Sequence, residues 1–293
     1  TGHNMMNLPI TLDDIDHIEV LRGSASRIYG INALTGAINI VTRTVQKTGV
    51  SANVFAGSSF KKDEVSGDTY ANYGLHASAG LLLDGSQHLL SVAQDASNGY
   101  RYNTAFNNQK VFYQGIMPVG KADQLDLMAG YTHNNFGANS FYSSPGDKES
   151  EETVKTALVA LGYTKTVNDN WTITPRISYR HNVDDYLYIK QSPDKFHNHH
   201  TTQVWDAELN NTILTSLGTI GFGLEARQEK INSTNLGKRD RNNAGVFGEF
   251  KFSPLQKLVI NAGAYANYNS DYGWQAFPGI DAGYQFYGNW RLF

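Results

Sequence analysis

Hydrophobic and polar residues alternate along most of the chain after residue 48. In one such segment Leu125, Leu127 and Ala129 share one face, while Asp126 and Met128 share the other. A period of two places successive side chains on opposite faces of a β-strand. The alternating segments are about ten residues long or longer, which is the length that a tilted strand needs to cross a bilayer. The pattern therefore predicts an all-β protein built from long antiparallel strands.

The alternation also predicts which face of each strand is apolar. The residues predicted to point outward are Leu127, Leu161, Ile173, Phe222 and Phe250, and those predicted to point inward are Arg176, Glu225, Arg227 and Glu249. A soluble β-sandwich alternates in the same way. However, Tyr163, Trp171 and Tyr284 lie near strand ends on the apolar face, as the aromatic girdle of a membrane barrel requires. The pattern therefore favours a transmembrane, up-and-down β-barrel.

The connections between these segments alternate between short and long. The short ones are 83–86, 120–123, 167–170, 216–218 and 253–256, and the long ones are 60–69, 98–108, 136–153, 184–202, 229–241 and 269–273. In outer-membrane barrels short turns face the periplasm and long loops face outward. The spacing predicts about a dozen strands before residue 287, with Trp290 beginning another.

Composition removes several other classes of protein. The net charge is −3 and the chain has no cysteine. A balance this close to neutrality gives no sign of a nucleic-acid partner, and a disulfide framework or thiolate metal site is excluded. No convincing nucleophilic triad, phosphate-binding loop or zinc-protease motif occurs, so we predict no enzyme, no catalytic residue and no cofactor.

Residues 15–44 carry the most specific motif, IDHIEVLRGSASRIYGINALTGAINIVTRT. It resembles the closing segment of the plug domain of TonB-dependent outer-membrane receptors. The residues that match that pattern are Ile18, Glu19, Val20, Leu21, Arg22, Gly23, Ser26, Tyr29, Gly30, Ala33, Gly36, Ile38, Asn39, Ile40 and Thr42. The resemblance implies the C-terminal part of an α+β plug over residues 1–46. It implies about half of a roughly 22-stranded barrel over residues 47–293, so the chain is expected to be a fragment.

The family resemblance implies active uptake across the outer membrane of a Gram-negative bacterium. The ligand would be scarce and large, such as cobalamin, an iron-siderophore or haem. The implied partners are outer-membrane lipid and the TonB energy-coupling complex, which would bind a short motif N-terminal to this segment. A surface lipoprotein is a further partner that the sequence leaves open. Later strands resemble the cobalamin-receptor branch, but residues 98–108 lack the closely spaced aspartates of its calcium-binding loops. The ligand therefore stays open, and a passive porin or a protein-docking or adhesin barrel is the alternative.

Three segments at the predicted outer end are candidates for ligand contact. The resemblance places residues 1–8 in an apical loop of the plug. Aromatic side chains in the long loops 136–153 and 184–202 could stack on a flat or amphipathic ligand. The candidate residues are His3, Asn4, Met5, Met6, Phe141, Tyr142, Tyr186 and Tyr188.

Two further groups of polar residues need an explanation. Glu19 and Arg22 carry charge on a strand expected inside the barrel, where an unpaired charge is costly. The resemblance implies that they hold the plug against the wall. The histidines at 197, 199 and 200 suggest a metal site, but His199 and His200 would face opposite sides of a strand. With no acidic residue at a matched spacing, no metal site is predicted.

Overall fold

The computed structural model describes residues 7–22, 36–142, 148–288 and 290–292. The β-strands in these ranges are β1 (Ile15–Arg22), β2 (Gly36–Thr42), β3 (Gly49–Lys62), β4 (Thr69–Leu83), β5 (Ser86–Ser97), β6 (Phe106–Val119), β7 (Asp123–Gly137), β8 (Glu151–Asn168), β9 (Trp171–Leu187), β10 (His197–Leu214), β11 (Gly218–Ser233), β12 (Gly237–Leu255), β13 (Leu258–Asn269), β14 (Gly273–Tyr287) and β15 (Trp290–Leu292). Two short 3₁₀ turns lie at Leu12–Asp14 and Pro193–Lys195.

Among the residues that the structure describes, none forms a helix long and apolar enough to cross a membrane.

The strands form two antiparallel sheets. β1 pairs with β2, and β3 to β15 form one 13-stranded sheet in which each strand pairs with its neighbours in the chain. This order confirms the predicted meander and the extra strand that begins at Trp290. Over the described residues, β3 and β15 are the two edges of the large sheet.

The N-terminal segment, defined here as residues 7–22 and 36–48, lies against one face of the large sheet. The guanidinium of Arg43 donates a hydrogen bond to Ser78 Oγ on β4 at 2.9 Å. The ammonium of Lys110 on β6 donates to the carbonyl of Ile10, also at 2.9 Å. These contacts identify the face that carries Ser78 and Lys110 as the inner face of the sheet.

A small apolar core joins the N-terminal segment to this inner face. Val45 packs with the buried side chains of Leu89 and Phe112. Nearby, a Cβ atom added to Gly130 would lie 2.4 Å from Pro9 Cγ. Such a distance is a clash, so the absence of a side chain at Gly130 allows the N-terminal segment to approach β7.

The pairing of residues between neighbouring strands shows which side chains of β4 to β14 lie on the inner face. Leu127 pairs with Leu161 and Asp126 with Gly162, so each face of β7 continues onto the same face of β8. Followed strand by strand, the register places Leu127, Leu161, Ile173, Phe222 and Phe250 outward and Arg176, Glu225, Arg227 and Glu249 inward. The faces predicted from the sequence are confirmed.

The outer face is apolar and open to its surroundings. Leu224 is 55% exposed, Val246 48% and Val159 46%. A continuous apolar surface of this extent marks contact with lipid or with another protein. Tyr163, whose hydroxyl donates to Asp123 Oδ2 at 2.7 Å, lies on the same outer face near the short turns. This arrangement matches the outward apolar band and aromatic girdle of a membrane barrel.

The predicted long loop 229–241 is wrong. β11 continues to Ser233 and β12 starts at Gly237, which leaves a connection of only residues 234–236. Opposite charges face each other across this extension, because Glu229 pairs with Arg241. Opposite-charge pairs on facing strands favour continued pairing, so the polar segment extends the sheet beyond the apolar band.

Candidate functional site

The main cavity lies on the inner face at the end of the sheet that carries the longer connections. It has a volume of about 790 Å³ and is lined by β8 to β12 and by the β13–β14 turn. We call this cavity the vestibule. Its lining includes Tyr142, Arg180, Asp184, Tyr186, Glu229 and Arg241. In an outer-membrane barrel this end faces the outside, so the vestibule is open to a ligand arriving from the medium.

A row of aromatic rings leads into the vestibule. The Phe136 and Phe141 ring centroids are 5.3 Å apart, and those of Phe141 and Tyr142 are 5.1 Å apart. The Tyr142 ring meets that of Tyr186 edge to face at 5.2 Å. Three of the predicted ligand residues, Phe141, Tyr142 and Tyr186, are therefore brought together. Tyr and Phe rings present a large apolar surface for stacking.

Other predicted ligand residues lie elsewhere. Tyr188 packs against Phe196 in the β9–β10 connection, with ring centroids 6.1 Å apart, and it is not among the residues that line the vestibule. The predicted contacts from the start of the chain, at His3, Asn4, Met5 and Met6, fall outside the described residues. Ligand contact by any of these side chains stays a prediction.

A buried acid lies beside the aromatic row, near the outer end of β8. Glu152 is fully buried, and its Oε2 accepts a hydrogen bond from the Tyr142 hydroxyl at 2.5 Å. Glu152 is 16 residues from Asn168 at the short-turn end of β8, about 50 Å along the strand at ~3.3 Å per residue. Since the apolar band of such barrels is only about 25 Å tall, Glu152 lies beyond it. Burial, and secondly the nearby charge of Asp184, raise the pKa of Glu152 to about 7 despite the Tyr142 hydrogen bond.

The charged side chains of the vestibule are mixed in sign. Arg227 Nε donates to Glu229 Oε1 at 2.8 Å, and its Nη1 lies 3.5 Å from Asp206 Oδ2. Arg241, on the next strand, pairs with the same Glu229. Charged groups shielded from water need such partners. A ligand entering the vestibule would therefore meet paired charges beside aromatic rings, a surface suited to an amphipathic molecule of some size.

The predicted attachment residues Glu19 and Arg22 lie on β1. Glu19 accepts a hydrogen bond from Asn39 Nδ2 at 2.7 Å and lies 3.5 Å from His17 Nε2, so both contacts are within the N-terminal segment. The Asn39 hydrogen bond is the main cause that lowers the pKa of Glu19. The Glu19 side chain is 49% exposed, whereas the side chain of Arg22 lies outside the described part of the structure. Their role in holding the plug stays a prediction.

The observed contacts between the N-terminal segment and the wall involve other residues. Asp14 is buried and accepts a hydrogen bond from Ser91 on β5. Thr42 donates to Gln114 on β6. Asp13 also lies 3.4 Å from His76 on β4. Sequence analysis missed these residues because each partner lies more than 60 positions away along the chain.

One statement from the sequence about metal ligands is wrong. Asp185 does supply an acidic partner for the histidines, because β9 pairs with β10 and sets Asp185 opposite His199. His200 faces the vestibule instead. This agrees with the prediction that His199 and His200, as adjacent residues in a strand, point to opposite faces. The missing signal was the strand register, which spacing along a single segment does not reveal.

No protein-family model matches the chain. Among curated proteins, the vitamin B12 transporter BtuB of Vibrio cholerae serotype O1 is 24% identical over 285 residues, covering 94% of this chain and 45% of the transporter. The solved structure of unliganded ferric citrate transporter FecA is similar with a TM-score of 0.77 and 14% identity, over 97% of this chain and 49% of FecA. The siderophore receptor PirA from Pseudomonas aeruginosa gives a TM-score of 0.72 and 17% identity, over 93% of this chain and 47% of PirA.

These matches cover the N-terminal segment and the large sheet together. The chain has the plug-and-barrel fold of a TonB-dependent outer-membrane receptor. Proteins with this fold lie in the outer membrane of Gram-negative bacteria. The matched proteins are transporters and receptors, not enzymes. The chain spans about half the length of the relatives it matches.

Proposed function

We propose that this chain supplies the ligand-binding vestibule and part of the gate of a receptor for active uptake across the outer membrane. The ligand is a scarce, large molecule such as cobalamin, an iron-siderophore or haem. The proposal rests mainly on one observation, that a plug-like segment is hydrogen-bonded to the inner wall while an aromatic-lined cavity opens at the outer end. We assign residues 1–46 to the plug and residues 47–293 to the wall.

The mechanism follows from the positions of the plug and the vestibule. A ligand binds from outside against Tyr142 and Tyr186. Passage inward requires the N-terminal segment to move, which breaks wall contacts such as Arg43 to Ser78. Ligand binding shifts an equilibrium only by its differential affinity for the two states, so it cannot drive accumulation against a gradient. An external energy source is therefore needed, and we assign it to the TonB complex.

The surroundings of the proposed receptor follow from its outer surface. The exposed apolar side chains of the wall, including Leu224 and Val246, would contact outer-membrane lipid. Phe141 and Tyr142 stand at the rim of the vestibule, where a surface lipoprotein could cover a bound ligand. The Glu19 and Arg22 pair remains proposed as a further attachment of the plug to the wall.

A ligand panel tests binding directly. The receptor, purified in detergent, is heated with cyanocobalamin, a ferric catecholate, a ferric citrate complex or haemin. A ligand that binds the folded state raises the unfolding temperature by mass action. We expect one member to do so, with Tyr186→Ala weakening its binding about tenfold or more. Tyr131→Ala is the matched control, because that ring lies on the outer face of β7, away from the vestibule. Equal loss in both variants, or no stabilisation by any member, would count against the vestibule.

A further inference from the structure

Three metal-ligating side chains meet on the outer face of the β9–β10 hairpin. His197 Nε2 lies 2.8 Å from one carboxylate oxygen of Asp185, and His199 Nδ1 lies 2.8 Å from the other. The ligand atoms of all three residues lie within 4.8 Å of one another. We propose that Asp185, His197 and His199 form a binding site for a Zn²⁺ ion.

The donor set and its dimensions fit this ion. Zn²⁺ binds imidazole nitrogen at about 2.0–2.1 Å and carboxylate oxygen at about 2.0–2.2 Å. Ligand atoms at these radii lie roughly 3 Å apart. The two nitrogen–oxygen separations are already 2.8 Å, and side-chain rotation must bring together the remaining ligand atoms, which all lie within 4.8 Å of one another. Two imidazoles and one carboxylate leave a fourth position for water or an external ligand. Ions that prefer oxygen ligands, such as Ca²⁺ and Mg²⁺, do not favour this set.

The backbone sets the three ligands in place before any ion binds. Antiparallel pairing joins Asp185 to His199 and places His197, two residues earlier, on the same outward face. The amide of His199 donates to Thr234 Oγ1 at 3.1 Å, which fixes this part of β10 against the next hairpin. A site carried by paired strands is more precisely held than one on a loop.

A second contact orients one of the rings. The other nitrogen of His199, Nε2, lies 3.3 Å from Thr201 Oγ1. When Nδ1 faces the ion, Nε2 carries the ring proton and donates a hydrogen bond to this hydroxyl. Metal-binding histidines usually have such a partner for the remaining ring nitrogen, which fixes the tautomer.

The site is accessible from the medium. Asp185 is 14 residues from Trp171 at the short-turn end of β9, about 46 Å along the strand at ~3.3 Å per residue. Strands in such barrels tilt by about 35–45°, which leaves roughly 35 Å along the membrane normal, more than the ~25 Å apolar band. The side chains of His197 and His199 are 45% and 43% exposed. A bound ion would join β9 to β10 at the outer surface, outside the vestibule and independently of the proposed transport function.

Zinc binding by the detergent-purified receptor tests the proposal. The protein is prepared with a purification tag that contains no histidine, stripped with a chelator and titrated with Zn²⁺ against a colorimetric zinc indicator near pH 7.5. We expect one site per chain, weakened about tenfold or more by H197Q, by H199Q and by D185N. An excess of Ca²⁺ or Mg²⁺ should not displace the zinc. His181→Gln is the matched control, because His181 lies on the same face of β9, nearer the membrane.

Two results of the zinc titration would overturn the site. One is the absence of zinc binding, which would show that Asp185 only accepts hydrogen bonds from the two rings. The other is a bound zinc whose affinity D185N and H199Q leave unchanged. Folding of each variant is checked by heat-modifiable gel mobility. Zinc-edge X-ray absorption of the wild-type protein gives a measurement without any variant, and we expect it to show two imidazole ligands. Fewer than two would contradict the assignment.

Discussion

The hydroxyl of Tyr142 lies 2.5 Å from the buried carboxylate of Glu152 at the outer end of β8. This hydrogen bond links a rim aromatic to an acid that the structure withdraws from water. It also gives the vestibule a titratable group near neutral pH, since burial raises the pKa of Glu152 to about 7.

Glu152→Gln is expected to remove the loss of stability that the wild-type protein shows as the pH rises. A carboxyl whose folded pKa is raised favours folding below its unfolded pKa, and that contribution is lost as pH rises through the folded value. The wild-type unfolding temperature should therefore fall, relative to Glu152→Gln, between pH 4.5 and about 7. The corresponding change in the free energy of unfolding is at most about 3 kcal/mol. Thermal unfolding in detergent across this range measures it.

Glu149→Gln is the control for the pH experiment. A hydrogen bond from Tyr102, in the first place, lowers the pKa of Glu149 in the β7–β8 connection. The contribution of Glu149 to stability therefore changes with pH only below the ordinary glutamate pKa, and not between pH 4.5 and 7. If wild type and Glu152→Gln respond identically to pH while both fold, Glu152 is not the buried acid described here.

Asp14→Ala should loosen the plug from the wall. Asp14 is buried, accepts hydrogen bonds from Thr11 N at 2.8 Å and Thr11 Oγ1 at 2.9 Å, and also accepts one from Ser91. Removing it leaves the buried Ser91 hydroxyl without this acceptor, at about 1–3 kcal/mol, and also removes the acceptor of the half-buried Thr11. Cells that express the receptor should become more sensitive to an antibiotic too large for porins.

Asp16→Ala provides the comparison for this leak. Asp16 is 63% exposed and contacts His17 within the same strand, so its loss should leave the barrier intact. Glu19→Gln belongs in the same assay, because a leak there would support the predicted role of Glu19 in holding the plug. A tight barrier in Asp14→Ala cells, at matched expression, would contradict the observed attachment.

Neighbouring substitutions on β9 should have opposite consequences for membrane insertion. Ile177 faces outward and is 47% exposed, whereas Ser178 faces inward and pairs with Asp206. Arginine at position 177 would face lipid near mid-membrane, at about 2–4 kcal/mol. Arginine at position 178 would meet the Asp206 carboxylate. Yields of heat-modifiable, folded protein compare the two, and a lower yield for Ser178→Arg would reverse our assignment of the faces.

Local patterns were sufficient to predict most of the wall. Alternation alone predicts that Leu127 and Leu161 point outward. Side chains of a strand alternate between two faces, so identifying the apolar face fixes the orientation of every residue in the strand. The motif at residues 15–44 predicts a plug, and that assignment stays a proposal. Strand ends were harder, since polar residues such as Glu229 and Arg241 are typical of loops until their cross-strand pairing is known.

The candidate sites depended more on tertiary structure. Sequence placed Tyr142 and Tyr186 in different loops, and only strand pairing shows that their rings touch. Asp185 was missed as a partner of His199 for the same reason. Contacts between plug and wall, such as Arg43 with Ser78, join positions with no local relationship. The periodicity of a single sequence does not show which distant residues pair with each other.

Energy-dependent uptake tests the central claim most directly. The ligand that stabilises the purified receptor is supplied in labelled form to cells that express it, with and without a functional TonB complex. Surface binding should be the same in both, because the vestibule opens outward. Accumulation above the external concentration should occur only in energised cells. Equal accumulation without the TonB complex would contradict the account, and would identify the protein as a passive pore.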